Sequence, residues 1–533
     1  MKKTLIYLSL IVLLVPANAQ KPNSAIIPAH HLDKKGWSER HEQILEKVKT
    51  SDPQLIMIGN SITHSLDSPD RQVLWDSYLT GFDAVNMGIS GDRTENVIWR
   101  LQNGLLEGIN PKVATLLIGT NNTDGNHYLE ISTPEELSEG IWKICSIIRE
   151  KLPDTEIVLL GILPYGYKPN HRDELNKASN RIISKFPEKD SKIHYYDLGY
   201  LFLNEEGKVK RELMPDYLHP NLEGDKLVFE ALAPEISKLM AAKDFLDLKS
   251  GMFIHYNMAT YQGVQWVEGY PDPSEFAPGV DVIDTDAWAD AAVAAGMKYA
   301  VLTAKHVGGF CLWDSKYTSY DVMHPDCPYQ KDLVAQFIES FTSRGLKVGL
   351  YYCWRHPGFD ANKKNFEYKV LPPECDPASH TIQEQIDFQK DQIAELLSMY
   401  PDVFYVWNDA LDPEIMEAEE ILAFLADIRP GILASANWWD WSKKGTSYAD
   451  IAVTEMRYFP EDNGAVGETC WQLEEKWFWN GETPSKDASS MIELLKKVNS
   501  NNANLLLNVG PDLNGNIIES SLKTLVEIGE SRK

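Results

Sequence analysis

Residues 298–322 constrain the fold of this chain more than any other stretch. They open with an apolar run, typical of a strand buried on both faces, formed by Tyr299, Ala300, Val301 and Leu302. Polar, small and then bulky residues follow at once: Thr303, Lys305, His306, Gly308, Gly309, Phe310 and Trp313. Such a strand end is typical of a parallel α/β barrel that presents a sugar-sized pocket at its C-terminal rim. The alternative on local grounds is a core strand followed by an ordinary turn.

The second half of the chain repeats this pattern of short apolar runs separated by helical segments. We predict strands at 252–255, 298–302, 347–352, 403–407 and 432–434, and helices at 285–296, 328–345 and 381–400. This alternation favours a (β/α)8-like TIM barrel, with fewer than eight regular helices allowed. The late apolar run at 505–509 is predicted to begin a short C-terminal extension.

The first half also alternates between strands and helices. The predicted strands lie at 55–59, 84–87, 113–118, 157–162 and 193–197, and an amphipathic helix covers 134–152. This pattern predicts a doubly wound, mostly parallel α/β sheet whose functional groups follow the strand ends. We therefore expect two domains, 25–244 and 245–533, which no Gly/Ser-rich or Pro-rich linker separates.

The first residues have the composition of a secretory signal. Two lysines precede an apolar run at 5–15, and the small residues Ala17, Asn18 and Ala19 offer a cleavage site. We predict a signal peptide over 1–19 and an exported protein, periplasmic or extracellular. The apolar run is too short to span a membrane, so no membrane span is expected.

Charge and cysteine content limit the partners and cofactors. The formal net charge is −27 over 533 residues, so no nucleic-acid partner is expected, because phosphates would be repelled. Disulfides can form in an exported chain, but the sequence does not determine how its six cysteines pair, nor the oligomeric state. No CxxC or HExxH spacing occurs, so we predict no metal site and no cofactor.

Polar residues that suit acyl transfer follow the predicted strands of the first half. Ser61 lies in GNSIT, Gly88 in NMGISGD, Asn121 in IGTNN, and Asp216 and His219 in PDYLHPN. A serine hydroxyl becomes a nucleophile when a histidine takes its proton and an acidic residue holds the imidazole. The amides of Ser61 and Gly88 and the Asn121 side chain would donate hydrogen bonds to the oxyanion.

Each of these residues alone has an ordinary structural explanation, for example Ser61 as a helix cap and His219 as a loop residue. Together, the four blocks resemble the SGNH (GDSL-like) hydrolases in order and over nearly all of the first domain. The resemblance implies a flavodoxin-like ester hydrolase with these residues at its catalytic site. The predicted barrel of the second half presents a sugar-sized pocket, so pairing of the two domains makes an acetyl or similar ester on a sugar the expected substrate.

The second half resembles the α-L-fucosidases of glycoside hydrolase family 29 over about 249–519. Where relatives usually read TAKHHDGF, this chain reads TAKHVGGF from Thr303. Further shared blocks are FIHYN from Phe253, DAWADAAVAAGMKY from Asp286, GLKVGLYY from Gly345, VFYVWNDA ending at Ala410, GETCW from Gly467 and NLLLNVGPD from Asn504. The resemblance implies a retaining exo-glycosidase that acts on a fucose-containing or related glycan.

A retaining glycosidase needs two carboxyl groups roughly 5–5.5 Å apart. Asp409 follows the run VFYVW and matches the nucleophile of the family's W-x-D motif; otherwise it is a helix-capping aspartate before Pro413. Glu455 in VTEMRYF is the favoured acid/base, and Glu468 in GETCW is the alternative. The acid/base should be buried enough to raise its pKa.

Aromatic rings and imidazoles suit the apolar face and the hydroxyls of a sugar. The candidates for sugar binding are His255, Trp266, His306, Trp313, Tyr352 and Trp407. Relatives usually carry a second histidine and an aspartate where this chain has Val307 and Gly308. Because a lost imidazole removes a hydroxyl partner, the sugar is expected to be a substituted fucose or a related sugar.

We therefore expect an exported bifunctional hydrolase, in which one domain removes an acyl group and the other removes a sugar. One alternative is a working esterase fused to a degenerate barrel that only binds a glycan. Another is a working glycosidase whose first domain is a scaffold.

Overall fold

The computed structural model describes residues 22–31, 34–267, 269–354, 381–410, 418–437, 450–460, 466–481 and 485–532. The signal peptide predicted over 1–19, Cys375 and Pro413 lie outside these residues. The chain divides into two compact units. The first comprises the described residues up to Pro187 together with Ile193–Leu227, and the second comprises Glu188–Lys192 and the chain from Val228 onward.

A five-stranded parallel sheet forms the centre of the first unit. Its order is β2-β1-β3-β4-β5, with β1 Leu55–Gly59, β2 Ala84–Asn86, β3 Val113–Leu117, β4 Glu156–Leu160 and β5 Ile193–Tyr196. β1, β3 and β4 are buried along their whole length, as strands covered on both faces must be. The order confirms the predicted doubly wound, flavodoxin-like fold, and it brings the ends of β1, β2 and β3 together.

Helices connect these strands. They are α1 Trp37–Thr50, α2 Ser61–His64, α3 Gln72–Leu74, α4 Thr94–Arg100, α5 Pro134–Lys151, α6 His171–Ile183 and α7 Leu222–Asp247, within which the two units divide. α5 begins at a capping box: the Glu136 amide donates to Thr133 Oγ1 at 3.2 Å, and the Thr133 amide donates to Glu136 Oε2 at 2.9 Å.

Eight parallel strands form the sheet of the second unit, in the order β10-β9-β8-β7-β6-β13-β12-β11. They are β6 Ser250–Ile254, β7 Tyr299–Lys305, β8 Lys347–Cys353, β9 Val403–Asp409, β10 Leu433–Ala436, β11 Ala452–Glu455, β12 Gly467–Gln472 and β13 Ala503–Val509. The end strands meet where the Ile451 amide donates to the Ala434 carbonyl at 3.2 Å. The sheet is thus a nearly closed barrel, which confirms the predicted TIM-barrel architecture.

The last strand corrects one prediction. The run at 505–509 does not begin an appended piece; it lies in β13, which pairs with β12 on one side and β6 on the other. Two strands, β11 and β12, were not predicted. The apolar run of β11 is only three residues long, and Glu468 interrupts that of β12, so neither matches a strand pattern.

The helices of the second unit flank this barrel. They are α8 Met258–Gln262, α9 Thr285–Ala294, α10 Leu333–Thr342, α11 Ile382–Met399, α12 Ala418–Ile428, α13 Ala488–Ser500 and α14 Glu519–Glu530. In the described part of the chain, no helix is both long and apolar enough to cross a membrane.

Alternation along the barrel strands decides which side chains reach the barrel interior. Tyr351 and Trp407 belong to the inner cluster, whereas their neighbours Tyr352 and Val406 belong to the outer cluster beneath the helices. Successive strand residues point to opposite faces, so an error of one residue exchanges the interior for the helix layer.

Close packing of α14 against α9 gives a test of the barrel's outer layer. A Cβ placed on Gly529 would lie 1.7 Å from the Ala294 carbonyl oxygen. We expect Gly529→Ala to lower the free energy of unfolding by about 1–3 kcal/mol, because the helices must separate to admit a methyl group. Denaturant unfolding of both proteins measures the loss. Val526→Ala, at an exposed position of the same helix, is the control, with a change within about 0.5 kcal/mol. An unaltered Gly529→Ala midpoint would contradict the packing.

Candidate active sites

The first unit brings Ser61, His219 and Asp216 into one hydrogen-bonded chain. Ser61 is the first residue of α2, directly after β1, and Asn60 Oδ1 caps that helix by accepting from the Ile62 amide at 3.0 Å. Ser61 Oγ lies 2.8 Å from His219 Nε2, and His219 Nδ1 lies 2.7 Å from Asp216 Oδ2. This is the geometry of a serine nucleophile, its general base and the carboxylate that orients the base.

The Asp216 carboxylate is fixed by the backbone of its own turn. Its Oδ1 accepts from the amides of Leu218 at 3.0 Å and His219 at 2.8 Å. Burial opposes ionisation, but the hydrogen bonds from the His219 side chain and these two amides prevail and lower the pKa of Asp216 below its ordinary value. An ionised Asp216 holds the proton on His219 Nδ1, which leaves Nε2 free to accept the proton of Ser61.

Of the predicted oxyanion donors, Gly88 is already engaged in the structure. Its amide donates to Asn86 Oδ1 at 2.8 Å. The Asn121 side chain is buried, and one of its two N–H bonds donates to the Asp92 carbonyl at 2.8 Å, which leaves the other available.

Gly91 is a donor that the sequence did not single out. It has a φ of 88°, and within the described residues its amide meets no hydrogen-bond acceptor. The loop is held on both sides of Gly91, because the Ser90 amide donates to His64 Nδ1 at 3.2 Å and the Asp92 carbonyl accepts from Asn121. The sequence feature that could have indicated Gly91 is the Gly-Asp pair that ends NMGISGD. A glycine there can adopt a positive φ, which turns its amide toward the strand ends.

In the second unit, a cavity of about 280 Å³ lies at the carboxyl ends of the barrel strands. Six predicted residues line it: His255, Trp266, His306, Trp407, Asp409 and Glu455. Five further residues complete the lining: Phe253, Tyr351, Asn437, Cys470 and Trp477. The two carboxyl groups therefore face one pocket, at the ends of β9 and β11.

Asn437, which follows β10, joins the two carboxyl groups. Its Nδ2 donates to Asp409 Oδ1 at 3.0 Å and to Glu455 Oε2 at 3.3 Å. Because both oxygens contact the same nitrogen, they are at most about 6.3 Å apart, the sum of these two distances. The limit applies to these two oxygens, and it places the two carboxyl groups side by side in the cavity.

The Asp409 carboxylate is oriented by three donors. The Tyr351 hydroxyl donates to Oδ2 at 2.5 Å, while the Ala410 amide, at 2.8 Å, and Asn437 donate to Oδ1. Tyr351 in turn stacks on Trp407, with ring centroids 5.4 Å apart. The aromatic wall of the cavity thus fixes the direction in which Asp409 presents its oxygens.

Glu455 has the environment of a proton donor. Burial is the largest influence and raises its pKa, and the charge of Asp409 raises it further. Hydrogen bonds from Asn437 and Trp477 and the charge of Arg457 act in the opposite direction and do not cancel the rise. A carboxyl group with a raised pKa therefore lies beside an oriented aspartate.

Two buried histidines face the same cavity. His255 Nδ1 donates to Asn508 Oδ1 at 2.6 Å, so its Nε2 is left as an acceptor for a ligand hydroxyl. His306 Nδ1 has no hydrogen-bond partner in the described part of the chain. Burial lowers the pKa of His306 to about 3 and that of His255 well below its ordinary value, so both rings are neutral.

Three predicted site residues lie away from the cavity. Trp313 Nε1 donates to Glu395 at 3.0 Å, and Tyr352 accepts from Lys305 Nζ at 2.9 Å beneath the helices. Glu468 is buried in the barrel interior, where it accepts from Tyr299 at 2.5 Å, Trp407 at 2.8 Å and Tyr405 at 3.1 Å. Cys470, two residues further along β12, lines the pocket instead.

Tyr351 shows what the sequence reasoning missed. The sequence analysis predicts Tyr352, the second tyrosine of GLYY, as a sugar-binding residue. Side chains alternate along a strand, and the structure places Tyr351 in the barrel interior and Tyr352 beneath the helices. Both faces of β8 are buried, so the strand carries no signal for which of the two tyrosines points inward. Asn437 carried no signal either, since its strand is short and its role depends on the positions of Asp409 and Glu455.

Neither site contains a metal-binding group in the described part of the chain. Within the residues that the structure describes, no three His, Cys, Asp or Glu side chains are arranged to hold an ion.

The fold and the two sites define two classes of hydrolase, an acylhydrolase in the first unit and a glycoside hydrolase in the second. Comparison with known families names both. The α-L-fucosidase family matches residues 221–531, and the GDSL-like lipase/acylhydrolase family matches residues 57–227. The chain belongs to the α-L-fucosidase family and carries a GDSL-like acylhydrolase domain before the fucosidase domain.

Individual proteins are similar to one or the other part of the chain. Human platelet-activating factor acetylhydrolase IB subunit alpha1 is 30% identical over 223 residues, which are 42% of this chain and 92% of the relative. An α-L-fucosidase isoenzyme from Paenibacillus thiaminolyticus is 25% identical over 55% of this chain and 76% of its own, with a TM-score of 0.44. An α-L-fucosidase from Lactobacillus casei, solved with α-L-fucose, is 22% identical over 55% of this chain and 97% of its own, with a TM-score of 0.46.

The buried Glu468 gives a test of the barrel interior. Burial raises its pKa from 4.5 to about 7, although Tyr299, Trp407 and Tyr405 donate hydrogen bonds that lower it. The folded state therefore holds a proton that the unfolded state releases between about pH 4.5 and pH 7, so stability falls as pH rises through this range. Glu468→Gln cannot ionise at this position. We expect its free energy of unfolding to fall by about 3 kcal/mol less than that of the wild type over the same pH range.

Denaturant unfolding at about pH 4.5 and pH 8 measures this difference. Glu493→Gln, at an exposed position of α13, is the control and should follow the wild type at both values. Parallel losses for Glu468→Gln and the wild type would contradict the burial of an ionisable group at this position.

Proposed function

We propose that this protein is an exported carbohydrate-processing enzyme with two hydrolytic sites. One is a retaining exo-glycosidase for α-L-fucosides or a closely related sugar, and the other removes acetyl or similar ester groups from a carbohydrate. The observation that carries the glycosidase is the sharing of one Asn437 amide by Asp409 and Glu455 within a single cavity. Carboxyl groups that share one amide in this way favour the short separation of roughly 5–5.5 Å used in retention over the roughly 6.5–9.5 Å used in inversion.

In the glycosidase, Asp409 attacks the anomeric carbon and forms a glycosyl-enzyme bond while Glu455 gives its proton to the departing oxygen. Glu455, then ionised, takes a proton from water, and the resulting nucleophile releases the sugar with its original anomeric configuration. Neutral His255 and His306 accept or donate hydrogen bonds to hydroxyls of the sugar. The aromatic wall formed by Phe253, Tyr351, Trp407 and Trp477 receives its apolar face.

In the acylhydrolase, His219 takes the proton of Ser61 as the serine attacks the ester carbonyl, and Asp216 stabilises the imidazolium. The amides of Ser61 and Gly91 and the second N–H of Asn121 are directed to the oxyanion; Gly91 takes the role that the sequence analysis gave to Gly88. His219 then returns the proton to the alcohol oxygen. An acetyl group is the proposed acyl group, because the relative that is 30% identical is named an acetylhydrolase.

The presence of Glu455 in the cavity favours this proposal over a barrel that only binds a glycan. A binding site does not need a second carboxyl group whose pKa is raised. The single histidine His306, followed by Val307 and Gly308, supports a related or substituted fucose as readily as fucose itself. Export rests on the composition of residues 1–19.

Two substitutions separate the sites. With an aryl acetate and an aryl α-L-fucoside as substrates, we expect Ser61→Ala to lower esterase kcat by at least about 10³-fold, and Asp409→Asn to lower glycosidase kcat as much. Each variant should retain the other activity within about two-fold, since the two sites share no residue. A wild type that hydrolyses no α-L-fucoside or related aryl glycoside would refute the glycosidase.

The acid role of Glu455 is tested through the leaving group and the pH profile. We expect Glu455→Gln to lower kcat/KM by at least about 10²-fold for a methyl glycoside, which needs protonation, and by far less for a 2,4-dinitrophenyl glycoside. The wild-type kcat/KM should fall as pH rises through the raised pKa of Glu455, and the variant should lose that limb. Equal losses on both leaving groups would contradict this assignment. NMR of the first-formed anomer checks retention.

A further inference from the structure

Two tyrosine rings lie beside the catalytic turn of the first unit. Tyr217 lies inside the turn that runs from Asp216 to His219, and Tyr167 lies in the loop before α6. Their ring centroids are 5.7 Å apart, with an angle of 68° between the ring planes. The Tyr167 side chain is 58% exposed. We call these two rings the tyrosine platform.

Hydrogen bonds to the backbone join the platform to the catalytic turn. The Gly166 amide donates to the Tyr217 carbonyl at 2.9 Å, which joins the Tyr167 loop to the catalytic turn. Asn170 Nδ2 donates to the Tyr165 carbonyl at 2.9 Å and so holds the other side of that loop. The rings are thus tied to the backbone that positions His219.

The position of the tyrosine platform corresponds to the alcohol part of an ester substrate. In acyl transfer, the carbonyl oxygen faces the oxyanion donors, while the alcohol oxygen must lie near His219 Nε2, which returns the proton to it. Gly91 and Asn121 mark the carbonyl side. Tyr217 lies two residues before His219 in the same turn, so the tyrosine platform is on the side of the alcohol part of the ester and not on that of the acyl group.

The chemistry of the platform favours a saccharide as that alcohol. Exposed aromatic rings pack against the C–H groups of a pyranose, and neighbouring cations donate to its hydroxyls or carboxylates. The Arg211 guanidinium lies over the Tyr217 ring, 6.0 Å from its centroid, and Lys208 Nζ lies over the Tyr167 ring, 5.8 Å from its centroid. Lys208 is paired with Glu206 at 2.7 Å, whereas Arg211 forms no salt bridge with the residues described. An alkyl chain would not need these charges.

The backbone of Tyr217 points to the same conclusion. Its φ is 61°, a left-handed conformation that glycine or asparagine adopts more readily. The turn itself therefore does not require a tyrosine. What tyrosine adds at this position is an aromatic ring in the catalytic turn, in contact with that of Tyr167.

We propose that Tyr167, Tyr217 and Arg211 form a saccharide-binding subsite for the alcohol part of the ester substrate. The inference rests on the proposed acylhydrolase function and deepens it, since it names the part of the substrate that the enzyme recognises. The substrate class is an acetylated pyranoside whose ring lies on Tyr167 and Tyr217, with Arg211 donating to its polar substituents.

The test compares esters that have and lack a sugar ring. The full-length protein is assayed with 4-nitrophenyl acetate, ethyl acetate and the per-O-acetylated methyl glycosides of L-fucose, D-glucose and D-galacturonate. We expect kcat/KM for at least one glycoside to exceed that for ethyl acetate by about ten-fold. Tyr167→Ala should lower this glycoside value about ten-fold more than the 4-nitrophenyl acetate value, mainly through KM.

Matched variants separate stacking from general damage. Tyr167→Phe keeps the ring and should stay within about two-fold of the wild type on the glycoside, and Arg211→Gln should raise its KM about five-fold. Tyr200→Ala, at an equally exposed tyrosine of the same unit (66%), is the control and should change neither substrate.

Two results would overturn the subsite. In the first, the wild type shows no preference for any glycoside over ethyl acetate. In the second, Tyr167→Ala loses activity equally on the glycoside and on the aryl ester. Failure of the acylhydrolase itself looks different: the wild type would then hydrolyse 4-nitrophenyl acetate no faster than Ser61→Ala.

Discussion

Parallel strand pairing is the constraint on which both sites depend. Every strand of both sheets pairs in parallel with its neighbours, so the carboxyl ends of strands far apart in sequence meet at one edge. Ser61 and Gly91 follow adjacent strands of the first sheet. Asp409, Asn437 and Glu455 follow or end three strands of the barrel that come one after another. The chemistry is assembled by topology, and the buried strands behind it make the assembly rigid.

The same constraint explains how much of the fold the sequence could predict. Long apolar runs such as those of β1, β3 and β7 identify strands buried on both faces, and their alternation with helices indicates parallel pairing. The short strands β11 and β12 carry too little apolar sequence to be recognised, although β12 contains the Glu468 that the barrel interior buries. The run at 505–509 was predicted to begin an extension, whereas it lies in β13 and closes the barrel between β12 and β6. Closure of a barrel is a property of the whole sheet and cannot be recognised in one segment.

The sites divide in a similar way. Residues with a reactive group at a strand end, such as Ser61, Asp409 and Glu455, could be chosen because both their chemistry and their position can be read from the sequence. Tyr351 and Glu468 could not be placed without knowing which face of the strand is inward. Gly88 and Gly91 lie in one loop, but the Asn86 side chain occupies the amide of Gly88, and only Gly91 has a positive φ. Side-chain direction and hydrogen-bond occupancy are tertiary facts.

Carboxyl groups perform opposite tasks in the two units, and environment alone separates them. Asp216 accepts hydrogen bonds from its own turn and from His219, which lower its pKa and keep it ionised to orient the base. Glu455 is more deeply buried and lies beside the charge of Asp409, and both influences raise its pKa and favour the acid form. Asn437 joins the two groups, since its side-chain amide donates a hydrogen bond to each carboxyl group. Burial and the closeness of Asp409 together therefore suit Glu455 to the role of proton donor proposed for it.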